Sequence, residues 1–151
     1  MQNRILKWEE IETNLAKYKF LFQRFDIIIG INRGGLPLSV MASYLAKKPH
    51  GVLSISTYDE NNKSTLLEFD NRLSVAQKGP FEKVLCLDDI SDSGKSLFVA
   101  IKILENLGYK RESIKIFTYY WKKKSLIKPD YYLEIVDNDT WINFPWSLEG
   151  K

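Results

Sequence analysis

A chain of 151 residues suits one domain and can bury a core covering roughly 70% of its unfolded surface. Hydrophobic residues make up 44% and charged residues 27%, which excludes a disordered chain, and the net charge of +3 is too mild to argue for nucleic acid. The single cysteine, Cys86, and single histidine, His50, exclude a disulfide or zinc framework and leave histidine-based catalysis little to stand on.

In chain order, residues 4–22 read as an amphipathic helix, with Ile5, Trp8, Ile11, Leu15 and Tyr18 at helical spacing. The apolar run Phe25 to Ile31 reads as a buried strand. It leads into Asn32-Arg33-Gly34-Gly35 and an apolar helix through Leu38, Met41, Leu45 and Ala46, with Pro37 near the first turn. Arg33 and the glycine pair suit an anion-binding loop or a plain tight turn, about equally well from this stretch alone. Val52 to Tyr58 alternates like a strand and, with Leu66 to Phe69, frames a polar loop at 59–65, as in a hairpin.

The stretch from Lys83 to Leu97 organises the rest. Val84 to Leu87 has the length and character of a buried strand, followed by Asp88-Asp89, Asp92 and a turn of Ser91, Ser93, Gly94 and Ser96. An amphipathic helix then begins, with Leu97, Ile101, Leu104 and Leu107 on one face and Gly108 as a C-cap. A strand end, a hydroxyl-rich loop and a helix N-terminus make a phosphate pocket, and carboxylates upstream suit sugar hydroxyls or a phosphate-borne divalent cation. A Walker A loop is excluded, because Asp89 stands where that pattern requires glycine. An acidic surface turn with a helix cap is the plainer alternative, but adjacent carboxylates at the end of a buried strand are costly unless used.

Ser113 to Tyr120 and Tyr131 to Val136 read as further strands, with Trp121-Lys122-Lys123-Lys124 after the first. The tail, Asp139 to Trp146, is aromatic, proline-containing and reads as irregular. The element order points to an α/β fold, an open, mostly parallel twisted sheet flanked by helices, with ligands beyond the carboxyl ends of its strands. No 18-residue apolar run occurs and the N-terminus lacks a signal-peptide h-region, so neither a transmembrane segment nor a secretory leader is expected, and the cytoplasm is the expected compartment.

Leu85 to Leu97 resembles the phosphoribosyl-pyrophosphate (PRPP) signature of type I phosphoribosyltransferases: an apolar run, Asp-Asp, Asp three residues on, a hydroxyl, Gly and Ser. Asn32-Arg33-Gly34-Gly35 is similar to that family's pyrophosphate loop. Asp139-Thr140-Trp141-Ile142 with Pro145-Trp146 is similar to the base-binding tail of short bacterial xanthine-guanine phosphoribosyltransferases. The resemblance implies one phosphoribosyltransferase domain over 1–151, with a hairpin lid at about 59–65 and a small C-terminal hood at about 121–151. It implies transfer of the 5-phosphoribosyl group to N9 of xanthine, guanine or hypoxanthine, releasing pyrophosphate and a nucleoside monophosphate, with Mg2+ as cofactor.

The residue roles follow from the same resemblance. Asp88 and Asp89 would bind the ribose hydroxyls near the metal. Ser93, Gly94, Lys95 and Ser96 would cradle the 5′-phosphate, Ser91 would belong to the same PRPP-binding set, and Arg33 and Gly34 would hold the pyrophosphate. Asp92 would assist proton movement at N7. Lys122, with Lys123 as the alternative, would contact the 6-oxo group, and Trp141 and Ile142 would cover the base. A homodimer or homotetramer is implied, which Trp8, Trp121 and Trp146 would suit. The alternatives are a regulator of the same fold that binds PRPP without turnover, or an enzyme using another acceptor. Asn32 stands where Ser or Ala is commoner in the family, and Ser93 where Thr is usual.

Overall fold

The computed structural model describes residues 2–55 and 72–148. A short strand, β1 (Asn3–Ile5), opens the chain and is followed by two helices, α1 (Trp8–Ala16) and α2 (Lys19–Phe22). The sequence points instead to one helix over 4–22. The difference has a tertiary cause: Asn3, Arg4 and Ile5 pair in parallel with Trp141, Ile142 and Asn143, which form the last strand. That partner comes from the far end of the chain, so local periodicity carries no sign of it.

The remaining elements are β2 (Ile27–Asn32), α3 (Leu36–Ala46), β3 (His50–Ser54), β4 (Arg72–Val75), β5 (Val84–Ser91), α4 (Lys95–Asn106), β6 (Ile114–Trp121), β7 (Tyr131–Ile135) and β8 (Trp141–Asn143). Six of the strands form one sheet in the order β4-β3-β2-β5-β6-β7. Every neighbouring pair is parallel except β3 and β4, which run antiparallel with Gly51 opposite Val75. The expected mostly parallel sheet is present. The hairpin's polar loop at 59–65 and its expected return arm, Leu66 to Phe69, lie outside the described residues.

The central strands read as unbroken apolar runs because both faces of the sheet are covered. Ile28, Leu85, Leu87, Phe117 and Tyr119 face α1, α2 and α3 in one core; Ile27, Ile29, Ile31, Cys86, Ile114 and Ile116 face α4 in the other. Burial raises the Cys86 thiol's pKa, which suits a small apolar filler and not a nucleophile. At Gly30 the sheet and α3 approach so closely that a Cβ would fall 2.0 Å from Ser39 Oγ.

The aromatic tail is more regular than its composition implies, since β8 pairs with β1. Beyond it, Phe144 and Trp146 stack with ring centroids 4.9 Å apart, and Trp146 meets Trp8 at 5.6 Å. Trp121 lies against Tyr132 at 4.9 Å. All three tryptophans that looked suited to a subunit interface therefore have aromatic partners within the chain. Among the described residues, no helix is long and apolar enough to cross a membrane.

Candidate functional site

Strands β2 and β5 are neighbours at the centre of the sheet, with Gly30 paired to Leu87. Their carboxyl ends bring the Asn32-Arg33-Gly34-Gly35 loop and the acidic motif side by side, as expected for an open α/β sheet. Strand β5 runs to Ser91, longer than the apolar run alone suggests, so Asp88 and Asp89 still belong to the strand. The extension is supported by pairing with β6, where Asp88 lies opposite Thr118 and Ile90 opposite Tyr120.

A cavity of about 320 Å3 opens there, walled by Asn32, Arg33 and Gly34 on one side and by Asp88, Asp89, Asp92, Ser93, Gly94 and Ser96 on the other. The two glycines after β2 make the approach possible. A Cβ on Gly34 would fall 2.4 Å from Asp89 Oδ2, and one on Gly35 would fall 2.3 Å from the Leu87 carbonyl oxygen. Gly94 has φ +84°, the left-handed region that favours glycine, and caps α4 so that the helix N-terminus faces the same space. The backbone N–H of Lys95 donates to Ser93 Oγ at 3.3 Å, which shapes the turn.

The acidic pair is electrostatically loaded. Burial raises the pKa of Asp88, and the adjacent Asp89 charge raises it further; burial also raises Asp89. Two adjacent carboxylates, Asp88 buried and Asp89 partly so, favour ligands that bring hydrogen-bond donors or positive charge. Asp88 Oδ1 accepts the Asp89 N–H at 2.9 Å and Asp89 Oδ1 accepts the Ile90 N–H at 2.8 Å, so part of each acceptor capacity remains for a ligand. Among the described residues no group of three or more metal-ligating side chains is present. A divalent cation here would therefore rest on one or two carboxylates, with phosphate oxygens and water completing its shell.

Asp92 sits at the mouth between two lysines. Lys122 Nζ donates to its Oδ2 at 3.2 Å, and Lys124 Nζ lies 3.0 Å from its Oδ1. Lys122 is buried while Lys124 is half-exposed. Sequence reasoning singled out Lys122 and missed Lys124; the available signal was their i, i+2 spacing just beyond a strand.

The other nominated residues sit elsewhere. Ser91 is buried, and its hydroxyl lies 2.7 Å from Ser125 Oγ and 2.9 Å from the Ile127 carbonyl oxygen, so it braces the loop from beneath. Lys95, Lys122, Trp141 and Ile142 are not among the cavity's walls. Trp141 is half-exposed on β8, and Ile142 is buried in the core beside Phe144.

The phosphoribosyl transferase domain family matches residues 1–150 of this chain. The chain is similar to a xanthine-guanine phosphoribosyltransferase of Idiomarina loihiensis, 26% identical over 147 residues that cover 95% of this chain and 86% of the relative. Its structure is similar to that of a purine phosphoribosyltransferase from Pyrococcus horikoshii, with TM-score 0.74, 27% identity and coverage of 97% of this chain and 95% of the other. It also shares its fold with a xanthine-guanine-hypoxanthine phosphoribosyltransferase of Helicobacter pylori, with TM-score 0.71, 18% identity and coverage of 97% and 95%.

Proposed function

This chain belongs to the phosphoribosyl transferase family, and on that premise we propose that it transfers the 5-phosphoribosyl group of PRPP to N9 of a 6-oxopurine, releasing pyrophosphate. The observation that carries the reading is that one cavity is lined by Arg33 and Gly34 together with Asp88, Asp89, Asp92, Ser93, Gly94 and Ser96. A cation and loop N–H groups suit a pyrophosphate, a carboxylate pair suits two sugar hydroxyls, and a helix N-terminus suits a terminal phosphate. The purine class is supported by the similarity to the Idiomarina and Pyrococcus proteins.

In this mechanism N9 bonds to C1′ as the C1′–oxygen bond to pyrophosphate breaks, the leaving group takes the electron pair, and the N7 proton passes to the Asp92 carboxylate. Glycosyl transfers of this kind develop positive charge on the sugar. Asp88 and Asp89 orient the ribose through its hydroxyls and set negative charge beneath it. Arg33 stabilises the departing pyrophosphate, and the turn before α4 fixes the 5′-phosphate, which holds C1′ in line with the attacking nitrogen. Ser93 Oγ, Ser96 Oγ and the first N–H groups of α4 are the donors proposed for that phosphate, with Lys95 beside them. The acidic pair fits Mg2+, because its excess negative charge is what a phosphate-borne cation relieves; Asp88 and Asp89 would hold it, directly or through water. When bound, the ion neutralises charge on the pyrophosphate.

Lys122 is proposed to read the 6-oxo group, and Trp141 and Ile142 to supply the hood over the base. A site that hydrogen-bonds a 6-oxo edge rejects adenine, whose 6-amino group would face a donor and leave it unpaired. We read the whole chain as one such domain acting in the cytoplasm.

The test is turnover with PRPP and Mg2+, offering xanthine, guanine, hypoxanthine and adenine separately and following each base by absorbance. Turnover of at least one 6-oxopurine and not of adenine is the expected result. PRPP binding without turnover of any of the four would overturn the reading in favour of a regulator or another acceptor.

A further inference from the structure

We propose that Lys124 is a positioning residue for catalysis: it keeps Asp92 aimed and charge-balanced while Lys122 is engaged by the base. The inference rests on the purine reading above and deepens it.

Asp92 has each carboxylate oxygen held by a different ammonium group, Oδ2 by Lys122 at 3.2 Å and Oδ1 by Lys124 at 3.0 Å. The two lysines are not equivalent. The Lys122 side chain is 6% exposed and that of Lys124 is 47% exposed. A buried ammonium needs an electronegative partner at all times. Lys122 can therefore leave Asp92 only for another acceptor, and the carbonyl oxygen of a base is one. Lys124 is under no such constraint, and a half-exposed ion pair adds little to stability. Its consequence is geometric: with Lys122 drawn to the base, Lys124 remains as the cation that sets where Asp92 points.

The backbone makes this arrangement rigid. Asp92 is flanked by Ser91 and Ser93, and both of their carbonyls are tied to the lysine-bearing segment: Lys122 N–H donates to Ser91 at 3.0 Å and Leu126 N–H to Ser93 at 2.9 Å. Within the segment Ser125 N–H donates to the Lys122 carbonyl at 3.0 Å, and Lys124 N–H donates to Asn138 Oδ1 at 3.3 Å. The carboxylate and its two cations therefore ride on one fastened unit. A shift of Asp92 relative to N7 by even about 1 Å would be felt in the rate.

The experiment compares wild type, Lys124→Met, Lys124→Arg and Lys122→Met with the best 6-oxopurine at saturating PRPP, alongside melting temperature. The expected result for Lys124→Met is a fall in kcat of about 10-fold with the KM for the base within about twofold of wild type. Lys124→Arg, which keeps the charge, is expected to restore most of the rate, whereas Lys122→Met is expected to raise the KM for the base. Unchanged kcat in Lys124→Met, or Lys124→Arg as slow as Lys124→Met at an unaltered melting temperature, would overturn the proposal and leave the purine reading standing. No turnover of any base by wild type would instead bring down the purine reading and this proposal with it.

Discussion

Gly34 and Asp89 are neighbours across the mouth of the sheet, so close that a Cβ on the glycine would fall 2.4 Å from the carboxylate's Oδ2. The adjacent Gly35 is constrained differently, since its Cβ would meet backbone, at 2.3 Å from the Leu87 carbonyl oxygen and 2.9 Å from Asp88 Cα. The two positions should therefore fail in different ways. In Gly34→Ala the Asp89 side chain can turn aside, so stability should change by less than about 1 kcal/mol while PRPP affinity drops at least about 10-fold. In Gly35→Ala the strand itself must shift, with an expected cost of about 1–3 kcal/mol. Urea unfolding beside PRPP titration separates the two, and equal stability losses would refute the distinction.

Asp92 and Lys122 should also separate. Asp92→Asn keeps the size but replaces one of the two oxygens that accept from Lys122 and Lys124 with an N–H2 donor and removes the proposed proton acceptor, so turnover should fall by about 10²–10⁴-fold with PRPP binding nearly intact. The same change leaves the buried Lys122 ammonium without its carboxylate, so a modest drop in melting temperature is expected as well. Loss of PRPP affinity with full turnover at saturation would show that Asp92 belongs to the sugar site and not to proton transfer.

The turn before α4 depends on what lies beneath it. At φ +84°, Gly94 would place a Cβ 2.5 Å from Ser125 Oγ and 2.8 Å from the Ile127 nitrogen. Gly94→Ala combines an unfavourable backbone conformation with a clash against backbone, and a loss of about 2 kcal/mol or more is expected. Ser125→Ala relieves the nearest contact but removes a partner of Ser91 Oγ, which keeps the Ile127 carbonyl at 2.9 Å. Its expected cost is about 1 kcal/mol. The double variant should therefore be less destabilised than the two single losses added together, measurable as a coupling in chemical denaturation.

The parts of this fold that were legible in the sequence are those fixed by neighbours in the chain. Ile27 to Ile31 and Val84 to Leu87 are continuous apolar runs because they are central parallel strands, and Leu97, Ile101 and Leu104 mark the buried face of α4. The Asp88-Asp89…Asp92…Gly94 spacing is likewise local in the chain, and these residues line the cavity. What escaped was decided by distant partners. Nothing near Asn3 says that it will pair with Trp141, and nothing near Ser91 says that its hydroxyl turns to Ser125 and Ile127 and not to the cavity. Lys124 gives no local signal because a lysine run ordinarily reads as a solvated surface, and its meeting with Asp92 requires the turn after β6 to fold back.

The entry to β5 supplies a pH prediction away from the cavity. Asp26 Oδ2 accepts the backbone N–H groups of Glu82 and Lys83 at 2.9 and 2.8 Å, pinning the segment that precedes Val84 to the start of β2. The bond from Lys83 is the main reason its carboxyl pKa lies below the usual value of 3.8 in the folded state. A folded-state pKa below the unfolded one means that the unfolded chain binds the proton more readily. The stabilisation is therefore complete well above pH 3.8 and is lost as the pH falls through the folded pKa. The bonds are exposed, so the contribution is expected to be about 1 kcal/mol and not the larger value of a buried charged pair. Asp26→Asn keeps the shape but offers a neutral acceptor, so it should unfold at lower urea concentration than wild type at pH 7. The gap should begin to narrow as the pH falls past 3.8, where the unfolded chain takes up the proton, and close below the lower folded-state pKa, where Asp26 is neutral in both states. A gap of constant size from pH 7 to pH 3 would show that the carboxylate's charge contributes nothing there and that the loss in Asp26→Asn is one of packing alone.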